Sequence, residues 1–148
     1  PIYGLPAHWA PNDLLFYSGH MFPERYKNGA FIAFHGSTNR SPYPQAGYVV
    51  GFIPFSDGLP SGKLEIFADG FAQVEVIKEM KDAKYRPMGL AEGPDGSLYI
   101  SDSKKGKIWR VLYTSDKASF SDENLKEMEL REYLPHIKIP TEFEDIVK

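Results

Sequence analysis

The 148-residue chain has no cysteine. Disulfides, thiolate chemistry, thiolate-bound zinc and the C-x-x-C-H attachment of a c-type haem are therefore excluded, although the absence assigns no compartment. No apolar run approaches the roughly 20 residues that cross a bilayer, so no membrane partner is expected. No secretory leader is recognisable. Positive charge is also in short supply: 17 Lys and Arg face 20 Asp and Glu, for a formal net charge of -3. That balance argues against nucleic acid, whose phosphates need a basic face. The chain begins at Pro1 and not at Met, so upstream residues are expected to have been processed, cropped or placed elsewhere.

Aromatic residues are plentiful, with 10 Phe and 9 Tyr, and 13 Gly and 12 Pro punctuate the chain. This composition favours many short strands and turns over long helices, in a chain long enough for one domain with a real core. Residues 14–17 read as a short strand, and Asn28-Gly29 is a turn signal. Strands follow at 30–35 and 47–55, then a turn at 56–62 and a half-exposed strand at 63–67. The pattern restarts with strands at 86–91, 97–102 and 107–113. The two halves can be superposed as sequence. Gly29 to His35 aligns with Gly96 to Asp102, and Gly47 to Phe52 aligns with Gly106 to Val111.

Repeated small antiparallel sheets predict an all-β fold of β-propeller blades, about two of them, over residues 1–114. Two blades do not close a ring. The apolar Phe31, Ile32, Val49 and Phe52 suggest faces that need covering, so the remaining blades are expected in the same or another chain. Residues 115–148 form a C-terminal tail of different composition, with a possible helix over 122–134 and an extended or linker-like end. Ser121-Asp122-Glu123 resembles a helix start.

The stretch Gly29 to Arg40 carries the chemistry. An apolar run that suits a strand buried on both faces ends in an imidazole, a hydroxyl, an amide and a guanidinium. The loop 36–46 is much longer than its counterpart at 103–105, which is a functional hint. The alternative is that it packs against a neighbouring blade. Taken singly, His35 reads as a core histidine bonded to backbone, and Arg40 and Arg86 as structural ion-pair partners. His8 could cap a turn or touch a ligand. His20 and His136 read as surface residues, Asp95 as turn chemistry, Asp102 as a strand end, and Trp109 and Tyr113 as packing.

Several motifs recur in a fixed order: His8-x-Ala10-Pro11, Phe16-Tyr17-x-Gly19-x-x-Phe22-Pro23, His35-Gly36-Ser37-x-Asn39-Arg40, Gly47-Tyr48, Arg86-Pro87-x-Gly89-Leu90, and Pro94-Asp95-Gly96-Ser97-Leu98-Tyr99-Ile100-Ser101-Asp102. Over about residues 5–114 the chain resembles the C-terminal blades of the L-sorbosone dehydrogenase-like, PQQ-dependent soluble sugar (glucose, aldose) dehydrogenases, which are six-bladed propellers. The resemblance implies hydride transfer from a sugar hydroxyl or aldehyde to pyrroloquinoline quinone (PQQ), with Ca²⁺ polarising the quinone. It also implies a periplasmic or secreted location. Arg40 and Arg86 become candidate partners of the cofactor carboxylates, His35 and Asn39 candidate pocket wall, and His8 and Trp9 a segment approaching the cofactor. Thr38 stands where the motif usually has Trp. The catalytic base and the calcium ligands are expected outside this chain, which itself offers no metal site and no haem motif. Two other functions remain open: a metal-dependent hydrolase of the lactonase type, and a non-catalytic binding module.

Overall fold

The computed structural model describes residues 1–137. Nine strands form: β1 (Pro11–Phe16), β2 (Ala30–Phe34), β3 (Val49–Ile53), β4 (Phe55–Ser56), β5 (Leu59–Pro60), β6 (Glu65–Ala68), β7 (Pro87–Glu92), β8 (Leu98–Asp102) and β9 (Ile108–Val111). One helix, α1 (Asp122–Leu130), follows. The strands make three antiparallel sheets: a four-stranded one in the order β1-β2-β3-β6, the β4-β5 ribbon, and a three-stranded one in the order β7-β8-β9.

The expectation of propeller blades is corrected here. The described residues form a small all-β sandwich with no closed ring of blades. The repeat in the sequence is real at the level of meanders: β2 and β8 are both central strands, and β3 and β9 both follow them. It says nothing about closure, because the ring is a long-range property and the meander a local one. The faces that suggested missing blades are also covered from within. Phe31, Ile32, Val49 and Phe52 are all buried.

Period-two alternation explains how. On one face of the larger sheet, Phe31, Val50 and Phe52 pack with Tyr17, Phe22 and Tyr26 and meet Leu98 and Ile100 of the smaller sheet. On the other, Ile32, Phe34, Val49 and Ile53 are covered by Trp9 from the N-terminal segment and Ile137 from the C-terminal one. A strand buried on both faces reads as a continuous apolar run, and β2 and β3 are buried at every position. Polar ties join the sheets. The Leu90 amide donates to Asp13 Oδ2 (2.7 Å), and the Tyr17 hydroxyl donates to the Gly96 carbonyl (2.7 Å).

The helix is shorter than the sequence predicts. It ends at Leu130 and tightens into a 3₁₀ turn, Arg131–Tyr133. Ser121 and Asn124 form a reciprocal capping box at its start. The linker expected at the end of the chain lies, beyond residue 137, outside the described residues.

Phe31 is fully buried and touches five aromatic rings. Phe31→Ala is expected to cost about 3–5 kcal/mol in urea unfolding. Phe16→Ala, on the exposed edge strand, should cost under about 1 kcal/mol.

Candidate functional site

Strand β2 delivers the site loop. Past Phe34 the ladder is continued by the N-terminal segment, where His35 N donates to the Ala10 carbonyl and Gly36 N to the Trp9 carbonyl, both at 2.9 Å. His8 and Ala10, on either side of Trp9, hold positive φ angles of 66° and 52°. Non-glycine residues enter that region at a cost, so the segment is over-determined by its packing. Gly36 is required. Its φ is 92°, and a Cβ there would lie 2.4 Å from the Tyr48 ring.

The loop then folds back on itself. Buried Ser37 donates to Gln45 Oε1 (2.7 Å) and accepts from the Ala46 amide (2.9 Å), while its carbonyl accepts from the Tyr48 hydroxyl. Gln45 N donates to the Ile77 carbonyl, and Gly47 N to the His136 carbonyl. The base of the loop is thus rigid, and its tip, Thr38 to Pro42, is largely open to solvent.

At that tip a cavity of about 410 Å³ is lined by Pro6, Ala7, His8, Asn39, Arg40, Ser41 and Tyr43. Arg40 donates once, from Nη1 to the Pro44 carbonyl (3.2 Å), and lies over the Tyr43 ring at 5.4 Å. It has no carboxylate partner among the described residues. Burial lowers its pKa, and Tyr43 offsets this only in part. Asn39 uses Oδ1 to accept from the Ser41 amide, which leaves its Nδ2 donors unengaged. Of the sequence candidates, His8, Asn39 and Arg40 are therefore brought together.

The other three sit beside this cavity and not in it. Arg86 is buried, its Nε donating to the His35 carbonyl (3.0 Å) and its Nη2 to the Gly36 carbonyl (2.8 Å). Its own amide donates to Asp102 Oδ1 at 2.7 Å. Only Nη1 is without a partner among the described residues. His35 Nε2 lies 2.7 Å from the Ser103 hydroxyl. Burial and then the nearby Arg86 charge lower the His35 pKa, against a weaker pull from Asp102, so the ring is neutral at pH 7. Trp9 is buried against Phe34, and its Nε1 has no hydrogen-bond partner among the described residues. It lines a second, mainly apolar cavity of about 740 Å³, with Tyr3, Leu5, Ile66 and Ile137.

Two residues were given no role by the sequence reading. Ser103, in the turn after β8, is the partner of His35. Tyr48, of the Gly47-Tyr48 motif, closes over Gly36 and packs 5.4 Å from the Arg86 guanidinium. Their partners are distant in sequence, so no local signal shows these contacts.

A family model described as TrAA12-like matches residues 1–114. The chain belongs to the TrAA12-like family. This corrects the resemblance drawn from the motifs: the family matched is not that of the L-sorbosone dehydrogenase-like soluble sugar dehydrogenases. An uncharacterised protein of Borreliella burgdorferi is 37% identical over 113 residues, covering 76% of this chain and 28% of that protein. Two solved structures of a Trichoderma reesei carbohydrate-active enzyme of family AA12, one a calcium and one an iodide structure, are 26% identical with a TM-score of 0.48. They match 74% of this chain and 25% and 26% of those chains. The chain thus spans about a quarter of the length of the relatives it matches.

Arg86→Lys keeps the charge but cannot reach two carbonyls with a planar fork. It is expected to lower stability by about 1.5–3 kcal/mol in chemical denaturation. It should also loosen the loop, read as faster amide exchange at Gly36 and Ser37.

Proposed function

We propose that this chain supplies part of the cofactor pocket of a quinone-dependent oxidoreductase that acts on a carbohydrate hydroxyl or aldehyde. The family relates the chain to the AA12 quinone-dependent oxidoreductases. The observation that carries the reading is Arg40: a half-buried guanidinium, in a cavity with His8 and Asn39, with no carboxylate to meet it among the described residues. Arg25 and Arg110, by contrast, are paired with Glu65 and Asp95.

Pyrroloquinoline quinone fits this donor set. It carries three carboxylates, and an arginine fork binds a carboxylate with two parallel hydrogen bonds. Arg40 has Nε and Nη2 available for that, and Asn39 adds amide donors. When bound, the quinone accepts the hydride lost by the carbohydrate. The residues of this chain bind and orient it. Arg40 and Asn39 grip an acidic edge, and the Gly36–Tyr48 contact fixes the base of the loop that carries them. Neutral His35, held at Ser103, offers a hydrogen-bonding imidazole at the root of the same loop.

No three His, Asp or Glu side chains converge among the described residues, so no step is assigned to a metal here.

Titration of the protein with pyrroloquinoline quinone, followed by fluorescence, tests the reading. Arg40→Ala is expected to weaken binding about tenfold or more, as loss of a charge-assisted pair would. Arg110→Ala, in the smaller sheet, should leave affinity unchanged. Absence of quinone binding, or equal affinity in Arg40→Ala, overturns the proposal.

A further inference from the structure

His136 is 6% exposed, although a histidine in a proline-containing tail reads as a surface residue. Its ring is engaged on both sides: Nε2 lies 2.8 Å from Asp69 Oδ1, and Nδ1 lies 3.4 Å from the Glu75 carbonyl. Its backbone carbonyl accepts the Gly47 amide at 2.9 Å. Gly47 closes the loop that carries Asn39 and Arg40, and it has little room to move. A Cβ at Gly47 would meet Gly36 Cα at 3.0 Å and the Trp9 carbonyl at 3.1 Å. The segment that bears His136 is strapped down at two other points. Arg131 donates to the Phe67 carbonyl (3.2 Å), and Ile137 is buried beside Trp9 and Ile32.

We propose that His136 is a positioning residue for the candidate site: its ring, latched to Asp69, holds its carbonyl against Gly47 and so fixes the loop that presents Asn39 and Arg40. The effect on ligand affinity rests on the function proposed above, whereas the latch itself does not.

The charged groups around the ring define when the latch is shut. Asp69 faces it from the end of β6, and Arg131 adds a positive charge felt by Asp69 from the C-terminal segment. Glu75 contributes its carbonyl. Burial pushes His136 down, but the Asp69 hydrogen bond and charge outweigh burial and leave its pKa raised. Burial pushes Asp69 up, but the His136 hydrogen bond, the Gly70 amide and the two positive charges leave its pKa lowered. The histidine's contribution is therefore present at low pH and is lost as pH rises through its raised folded value. The aspartate's is present once it ionises and is lost as pH falls through its lowered folded value. The latch is closed between those two values and opens on the alkaline side.

The test is an NMR titration of the His136 ring together with Gly47 amide exchange, corrected for intrinsic rates, on wild type and Asp69→Asn. In wild type, Gly47 protection is expected to fall at least tenfold as His136 deprotonates. In Asp69→Asn the His136 titration should move to lower pH, carrying the Gly47 transition with it. Quinone affinity, measured across the same pH range, should follow the Gly47 transition. Gly47 protection that ignores the His136 titration overturns the latch, as does an unshifted titration in Asp69→Asn. A latch that titrates as expected in a protein that binds no quinone overturns the functional reading alone. A purely structural contact would lower stability without a pH transition at Gly47.

Discussion

The site depends on where two backbone carbonyls find their donors. At the end of β2 the chain leaves its ladder, and the His35 and Gly36 carbonyls need partners that no strand supplies. Arg86 supplies them from the start of the smaller sheet with one planar group. The geometry is specific to arginine: two parallel donors reach two successive carbonyls, which a single ammonium cannot do. Asp102 sets the arginine in turn, because its carboxylate accepts the Arg86 amide on one oxygen and the Lys105 amide on the other. The site loop thus takes its starting direction from an element some 50 residues away. The two sheets are held in register by the same interaction that aims the loop.

Above that clamp the loop divides into a rigid base and an open tip. Gly36 is pressed against Tyr48 so closely that no side chain fits, and Ser37 is buried with each of its polar atoms engaged. Beyond Ser37 the chain is exposed, and Asn39 and Arg40 reach into the cavity beside His8. Binding sites are commonly built in this way, since a precise base lowers the ordering cost of a polar tip when a ligand arrives. The left-handed backbone on both sides of Trp9 belongs to the same arrangement. Two strained residues are accepted where the buried indole and the carbonyls bonding to His35 and Gly36 fix the segment.

Much of this was legible one element at a time. The continuous apolar run of residues 30–35, the strand at 97–102, the Asn-Gly and Asp-Gly turns, and the polar group after Phe34 all mark real features, since each depends only on near neighbours. What the sequence could not convey is pairing at a distance. The meander repeat suggested propeller blades, but the way sheets pack depends on contacts that no local period encodes. Arg86, taken singly, reads as an ion-pair partner because its two carbonyl partners leave no trace in residue types. His136 reads as exposed because Asp69 stands 67 positions away. The apolar residues on either side of it, Leu134 and Ile137, were the one available sign that this segment returns to the core.

The arginines differ in what surrounds them. Arg25 lies in a fork-to-fork pair with Glu65, between aromatic rings, and its charge is neutralised within the fold. Among the described residues Arg86 has no counter-ion, but its Nε and Nη2 are spent on carbonyl dipoles, whereas Arg40 has neither a carboxylate nor a full set of carbonyls. It is partly withdrawn from water, and one donor is used. Desolvating a cation costs free energy that something must offset, and at Arg40 the fold offsets it only in part. An anion entering from solvent would relieve it, whereas the same anion at Arg25 would have to displace Glu65. In a chain whose acids outnumber its bases, an arginine that lines a cavity with no acid beside it among the described residues is a place where an acidic ligand gains.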